Sequence, residues 1–94
     1  MRVISNKQLV VFATRHPNSD ASLQAWRRLI ETNEIPHFAA MRQIFGSVDI
    51  VGDKHVFDIK GNRYRIIAGI GYPVQICYIK HVLTHAEYDK GDWK

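Results

Sequence analysis

Residues 55–89, HVFDIKGNRYRIIAGIGYPVQICYIKHVLTHAEYD, constrain the fold more than any other stretch of this chain. In residues 55–60 Phe57 and Ile59 point one way, while Val56, Asp58 and Lys60 point the other, the period of a strand. Gly61-Asn62 is a turn signal. In the next run Tyr64, Ile66, Ala68 and Ile70 share a face, and Arg63, Arg65 and Ile67 take the opposite one. Gly69 and Gly71 leave that second face bare of side chains and permit a bulge or a close approach. Tyr72-Pro73 marks another turn, and residues 75–83 read as a third strand that runs into a polar tail, residues 84–89. Three successive strands joined by short turns form an antiparallel unit, and such a sheet needs only one face covered.

The preceding half supplies the cover. Arg2-Val3-Ile4 suits an edge strand, and Asn6 is placed to cap a helix over residues 7–16 with Leu9, Phe12, Ala13 and His16 on one face. Pro17 ends it. Asn18-Ser19-Asp20 offers a second cap, for a helix to about residue 32 in which Leu23, Trp26 and Ile30, with Leu29 alongside, face a core. Pro36 suits the first turn of a third helix, residues 37–45, with Phe38, Met41 and Phe45 in a stripe and Gly46 as its stop. Residues 48–51 read as a short strand and Gly52-Asp53 as a turn. The expectation is one α+β domain over residues 1–94, a small antiparallel sheet backed on one face by N-terminal helices. The other face is left as a working surface.

Ninety-four residues leave room for one core, and 46% hydrophobic residues are enough to build it. The net charge of +4 favours an anionic partner such as nucleic acid or an acidic segment. Residues 1–51 hold six Lys/Arg and four Asp/Glu, and residues 52–94 hold seven and five, so each half nets +2 and any basic patch must be assembled by folding. The lone cysteine, Cys77, excludes an internal disulfide and a paired-cysteine zinc site, and reads as a buried small hydrophobe. The start, MRVISNKQLVVF, lacks the pattern of a signal peptide, and no run approaches a membrane span. These features point to the cytoplasm.

Lys60, Arg63 and Arg65 gather cations beside two glycines, an arrangement suited to phosphate, although a solvated strand face accounts for the same residues. Arg65, flanked by Tyr64 and Ile66-Ile67, reads as partly buried, and a buried guanidinium needs a partner, for which Glu87 or Asp89 is expected. His81 and His85 are four apart, but on a strand and a tail that spacing does not make a metal site. His85, with Thr84, Glu87, Tyr88 and Asp89 around it, suits an acid, a base or a phosphate donor, or a structural role at the tail. Tyr88 suits stacking on a base, proton donation, or packing at the sheet end. His16, His37 and His55 read as surface or core-edge residues, Trp26 and Phe38 as core, and Trp93 as a residue that folds back, stacks on a ligand or stays loose.

The segments VFDIKGNRYRII (residues 56–67), YIKHV (78–82) and THAEYDK (84–90) closely resemble the HigB branch of the RelE-like toxins of bacterial toxin–antitoxin pairs. The resemblance covers essentially the whole chain. It implies a helix-backed antiparallel sheet and an mRNA endonuclease acting on transcripts in the translating ribosome, without metal or other cofactor. It also implies neutralisation by a cognate helix-turn-helix antitoxin. The implied reaction is attack of the ribose 2′-hydroxyl on the adjacent phosphate. By the same resemblance Arg65 stabilises the phosphate, Lys60 is a second cation, His85 is the acid or base, and Tyr88 stacks or transfers a proton. Lys54, Arg63 and Lys80 become RNA contacts. The paired lysines of some relatives are absent here, and Asp58 stands where a cation is wanted. The superfamily also contains toxins of DNA gyrase, and a non-catalytic binding module of this fold is a further alternative.

Overall fold

A computed structural model describes residues 1–94. Strand β1 (Arg2–Ile4) leads into helix α1 (Lys7–Arg15), a 3-10 turn (Pro17–Ser19), and helices α2 (Asp20–Glu31) and α3 (Phe38–Ile44). Strands β2 (Asp49–Val51), β3 (Lys54–Ile59), β4 (Tyr64–Gly71) and β5 (Ile76–Thr84) follow, and the chain closes with helix α4 (His85–Lys90). The sheet order is β1-β5-β4-β3-β2. The chain thus enters at one edge of the sheet and re-enters at the other, so the helices between must cross one face. That route produces the expected backing.

The sheet is not wholly antiparallel. β2 to β5 pair antiparallel in sequence order, whereas β1 pairs parallel to β5, with Val3 opposite Cys77. A three-residue strand carries no sign of its direction, which is set by where the helices return the chain. Between β4 and β5 the register passes from Ile67↔His81 to Ala68↔Ile79, leaving Lys80 as the extra residue of a bulge. The bulge restores the facing of β5, so that Cys77 and Ile79 and then Val82 all meet the main core.

The face predicted to hold the helices does so. Phe57, Ile59, Tyr64, Ile66 and Ala68 join Leu9, Phe12, Leu23, Trp26, Ile30 and Met41 in one core. Phe57 lies edge-on between Trp26 (5.3 Å) and Phe45 (5.2 Å). Burying a side chain of this kind contributes roughly 1.5–3 kcal/mol. Gln8 pins α1 to the sheet, its Nε2 donating to the Ile79 carbonyl at 2.9 Å.

Several local expectations need correction. Asn6 stands at the start of α1 in helical backbone and makes no side-chain cap. Ser19 also caps nothing, because its hydroxyl donates back to the His16 carbonyl at 2.6 Å. Leu29 is exposed, being one step off the Leu23-Trp26-Ile30 stripe. Pro36 precedes α3, and His37 is its N-cap, with Nδ1 accepting from the Ala40 amide at 3.1 Å. The sheet's second face is not bare either. Trp93 folds back over Val56 and Ile67, joined by Val51, Leu83 and Tyr88, in a small second core.

His55 is neither surface nor core edge. It faces the helices from β3, packs near Phe38, Phe57 and Tyr72, and is only 6% exposed. Its Nε2 lies 2.8 Å from the Tyr72 hydroxyl, and its Nδ1 is buried without a partner. Burial holds the imidazole below its ordinary pKa of 6.5 and pushes the Tyr72 phenol up. The unfolded chain therefore takes this proton first. The contribution of His55 to stability is full above about pH 6.5 and falls as the pH drops below that value toward the depressed native pKa. We predict that urea unfolding at pH 8 and pH 5.5 shows a loss of stability on acidification that His55→Gln, which keeps a partner for Tyr72, reduces.

Candidate active site

The site is assembled where α4 crosses the end of the second face. The segment read as a tail over residues 84–89 is mostly a helix, His85–Lys90, with Thr84 as its N-cap. Six residues are far too few to hold a helix in isolation, and local chemistry holds this one. Thr84 and Glu87 form a reciprocal capping box: Glu87 N donates to Thr84 Oγ1 at 3.2 Å, and Thr84 N donates to Glu87 Oε1 at 2.9 Å. These bonds at Thr84 lower the Glu87 pKa. Gly91, at φ 76°, ends the helix in the left-handed conformation that glycine adopts without strain. Trp93 then stacks on Tyr88 at 5.0 Å and donates its indole N–H to the Tyr88 carbonyl at 2.9 Å. The signal for α4 lay in the sequence as Thr84-x-x-Glu87.

Arg65 is the centre of the arrangement and is only 6% exposed. Nη1 donates to the carbonyls of Asn62 (3.0 Å) and Tyr64 (3.1 Å). Nη2 donates to Asn62 Oδ1 (2.6 Å) and to His85 Nδ1 (3.1 Å). Nε forms an ion pair with Asp58 Oδ1 at 3.0 Å. The Tyr88 ring lies over the guanidinium, 5.0 Å from Cζ to the centroid. The partner is therefore Asp58, directly across the hairpin in register, and not Glu87 or Asp89. Glu87 is committed to the cap. Asp89 Oδ2 instead lies 3.2 Å from His85 Nε2, at i and i+4 of α4. The His85 amide also donates to the Arg63 carbonyl at 2.9 Å, which ties the helix start to the β3–β4 turn.

Of the residues singled out from the sequence, Arg65, His85 and Tyr88 are brought into contact. Lys60 is not. It leaves β3 at φ 53°, and its ammonium donates to the Asn18 carbonyl at 3.0 Å, toward the helical layer. Alternation no longer applies beyond the last strand residue. Arg63 lies in the turn, exposed and without a side-chain partner, next to His85 through its carbonyl. Lys54 pairs with Asp53 at 3.2 Å. Lys80 lies over the Tyr78 ring at 5.6 Å, its stem against Gly69, where a β-carbon would come within 3.3 Å of Lys80 Cε. Sequence reasoning missed Asp58 and Asn62 as the holders of Arg65. The other flank of α4 borders a cleft of about 220 Å³ lined by His81, Leu83, Glu87, Lys90, Asp92 and Trp93. No three His, Cys, Asp or Glu side chains converge in metal-binding geometry. Burial pushes the Cys77 thiol up to about 12, so it stays protonated at neutral pH. No helix is long and apolar enough to cross a membrane.

A small open sheet with helices crossing one face, and Arg65 under a short C-terminal helix on the other, are consistent with a RelE-like fold. Residues 19–91 match the HigB toxin family, described as the RelE-like toxic component of a toxin–antitoxin system, and the chain belongs to that family. It is 34% identical over 92 residues to the mRNA interferase toxin HigB of Escherichia coli strain K12, covering 95% of this chain and 88% of that protein. The mRNA interferase HigB of Shigella flexneri is equally similar, and that of Escherichia coli O6:H1 is 31% identical over 93 residues, covering 96% and 90%.

The cap makes a direct test of how α4 is held. Thr84→Ala is expected to cost about 1 kcal/mol. Its amide hydrogen exchange should quicken from His85 to Lys90 while β4 stays protected. Unchanged exchange from His85 to Lys90 would show that α4 does not depend on its cap.

Proposed function

We propose that this chain is the toxin of a toxin–antitoxin pair and an endoribonuclease that cuts mRNA during translation in the cytoplasm. The observation that carries this reading is the convergence of Arg65, His85 and Tyr88 in a member of a family whose similar relatives are named mRNA interferases. The proposed reaction uses no metal. The 2′ oxygen of one ribose bonds to the adjacent phosphorus as the bond from phosphorus to the 5′ oxygen breaks. The 2′-hydroxyl proton passes to an acceptor, and the departing 5′ oxygen receives one.

Each part of the site suits a part of that reaction. The reacting phosphate gains negative charge, and donors fixed in place stabilise it without reorganising. Tyr88 has one ring face against Trp93 and lies over the Arg65 guanidinium, so its hydroxyl has a defined position. His85 is about half exposed and reachable by substrate. Arg63, Lys54 and Lys80 serve as RNA and ribosome contacts, consistent with the net charge of +4. Lys60, held by the Asn18 carbonyl, stands apart from this set. The partner that silences the chain is a helix-turn-helix antitoxin encoded beside it.

Brief induction followed by mapping of mRNA ends tests the reading. New 5′ ends within translated frames are expected, with translation stopping before DNA synthesis. Arg65→Ala and His85→Ala should each reduce cleavage about 10²-fold or more. Unchanged mRNA ends with an early arrest of DNA synthesis would overturn the nuclease assignment.

A further inference from the structure

Arg65 has little donor capacity left to offer a ligand. Four of its N–H groups are hydrogen-bonded to Asn62 O, Asn62 Oδ1, Tyr64 O and His85 Nδ1, and the Nε group faces the Asp58 carboxylate at 3.0 Å. A guanidinium has five N–H groups, no acceptor, and does not deprotonate in proteins. Two consequences follow. A phosphate reaching Arg65 would have to displace partners it already holds, while Arg63, exposed and unpaired one residue beyond Asn62, needs no such exchange. And the direction of the bond to His85 is settled: Arg65 donates, so Nδ1 holds a lone pair.

We infer that Arg65 is a positioning residue whose hydrogen bond fixes His85 as the Nε2–H tautomer, so that His85 meets the RNA phosphate as an N–H donor and not as the base that deprotonates the 2′-hydroxyl. A neutral imidazole carries one proton, and with Nδ1 accepting it must lie on Nε2. Asp89 Oδ2 stands 3.2 Å from Nε2, a charge contact that favours a proton there without holding it in a hydrogen bond, so a phosphate can take its place. To act as a base at Nε2 the ring would need its proton on Nδ1. That places two donors face to face between His85 and Arg65 and sacrifices the 3.1 Å bond. A flip about Cβ–Cγ would turn ring carbons toward Arg65 and Asp89 in place of Nδ1 and Nε2, so it keeps neither contact. The Nε2–H is thus the oriented, solvent-reachable end of a network rooted in Asp58 and Asn62. A donor of that kind stabilises charge on a nonbridging phosphate oxygen without itself losing a proton.

This inference rests on the nuclease reading for its substrate but not for its structural core, and two measurements separate them. In the wild-type protein at pH 8, ring nitrogen NMR should show His85 protonated on Nε2 and unprotonated on Nδ1. Arg65→Lys, which keeps the charge but not the planar fork, should yield a mixture of tautomers, a change that a merely structural arginine would not produce. Protonation on Nδ1 in the wild type overturns the inference. On mRNA-programmed ribosomes His85→Ala should lose about 10²–10³-fold in cleavage. His85→Gln, which places an amide N–H near the Nε2 position, should retain at least about ten-fold more activity than His85→Ala. A glutamine variant as inactive as the alanine variant makes His85 a proton-transfer group and overturns the inference. Ribosomal mRNA left intact by the wild type would sink the nuclease reading, while the tautomer result would stand on its own.

Discussion

The buried guanidinium of Arg65 is the constraint on which the site depends. Moving such an ion out of water costs several kcal/mol unless its hydrogen bonds and charge are met. Here they are met from three places in the chain: Asp58 on β3, Asn62 and Tyr64 around the hairpin turn, and His85 at the start of α4. None of these segments can shift without leaving a buried donor unpaired. Lysine would not substitute, since a compact ammonium cannot span a carboxylate, a turn amide and an imidazole in one plane. The arginine therefore acts first as a joint between hairpin and helix.

The topology gives that joint its place. Because the chain crosses from one sheet edge to the other through α1 to α3, one face is consumed by the main core. The C-terminal segment then has only the opposite face on which to settle. Its six-residue helix buries little, and no residue of α4 is fully buried. Its position comes instead from the Thr84–Glu87 cap at one end, Gly91 and Trp93 at the other, and Arg65 beneath. The exposed face of α4 is left free to meet a ligand.

Much of this was legible in the sequence, and what was missed has physical causes. Period-two alternation assigned both faces of β3 and β4, so the core set of Phe57, Ile59, Tyr64, Ile66 and Ala68 could be read directly, while partial burial of Arg65 was legible in its apolar flanks. The glycines of β4 read as permitting a bulge or a close approach; a bulge falls beside them in β5, and the Lys80 stem lies against Gly69. Alternation misled at Lys60, where the backbone turns left-handed and the side chain changes sides. The direction of β1 was not readable from three residues. Arg65's true partner followed from hairpin register, in which Asp58 stands opposite, rather than from the acidic tail. His55 carried no warning, because its neighbours Phe38 and Tyr72 come from distant segments. Likewise Gln75, in left-handed backbone, clamps Ile35 through both amide atoms at 3.0 and 2.7 Å, a contact 40 residues long.

The acidic residue at position 58 now has a different meaning. Judged as a surface residue it weakens an anion-binding face, since it cancels one of the charges meant for phosphate. As the partner of a guanidinium whose side chain is 7% exposed, it makes burial of Arg65 affordable and aims the remaining donors, one of them at His85. The charge it removes from the face is one that solvent and RNA could scarcely reach. On the proposed reading RNA meets the exposed set around it, Arg63 in the turn and Lys80 on the bulge, with His85 held at their margin. A site built this way separates two demands that compete in a small protein. On that reading the cations that would attract the substrate stay at the surface, and the group that must be aimed is held by a charge already neutralised.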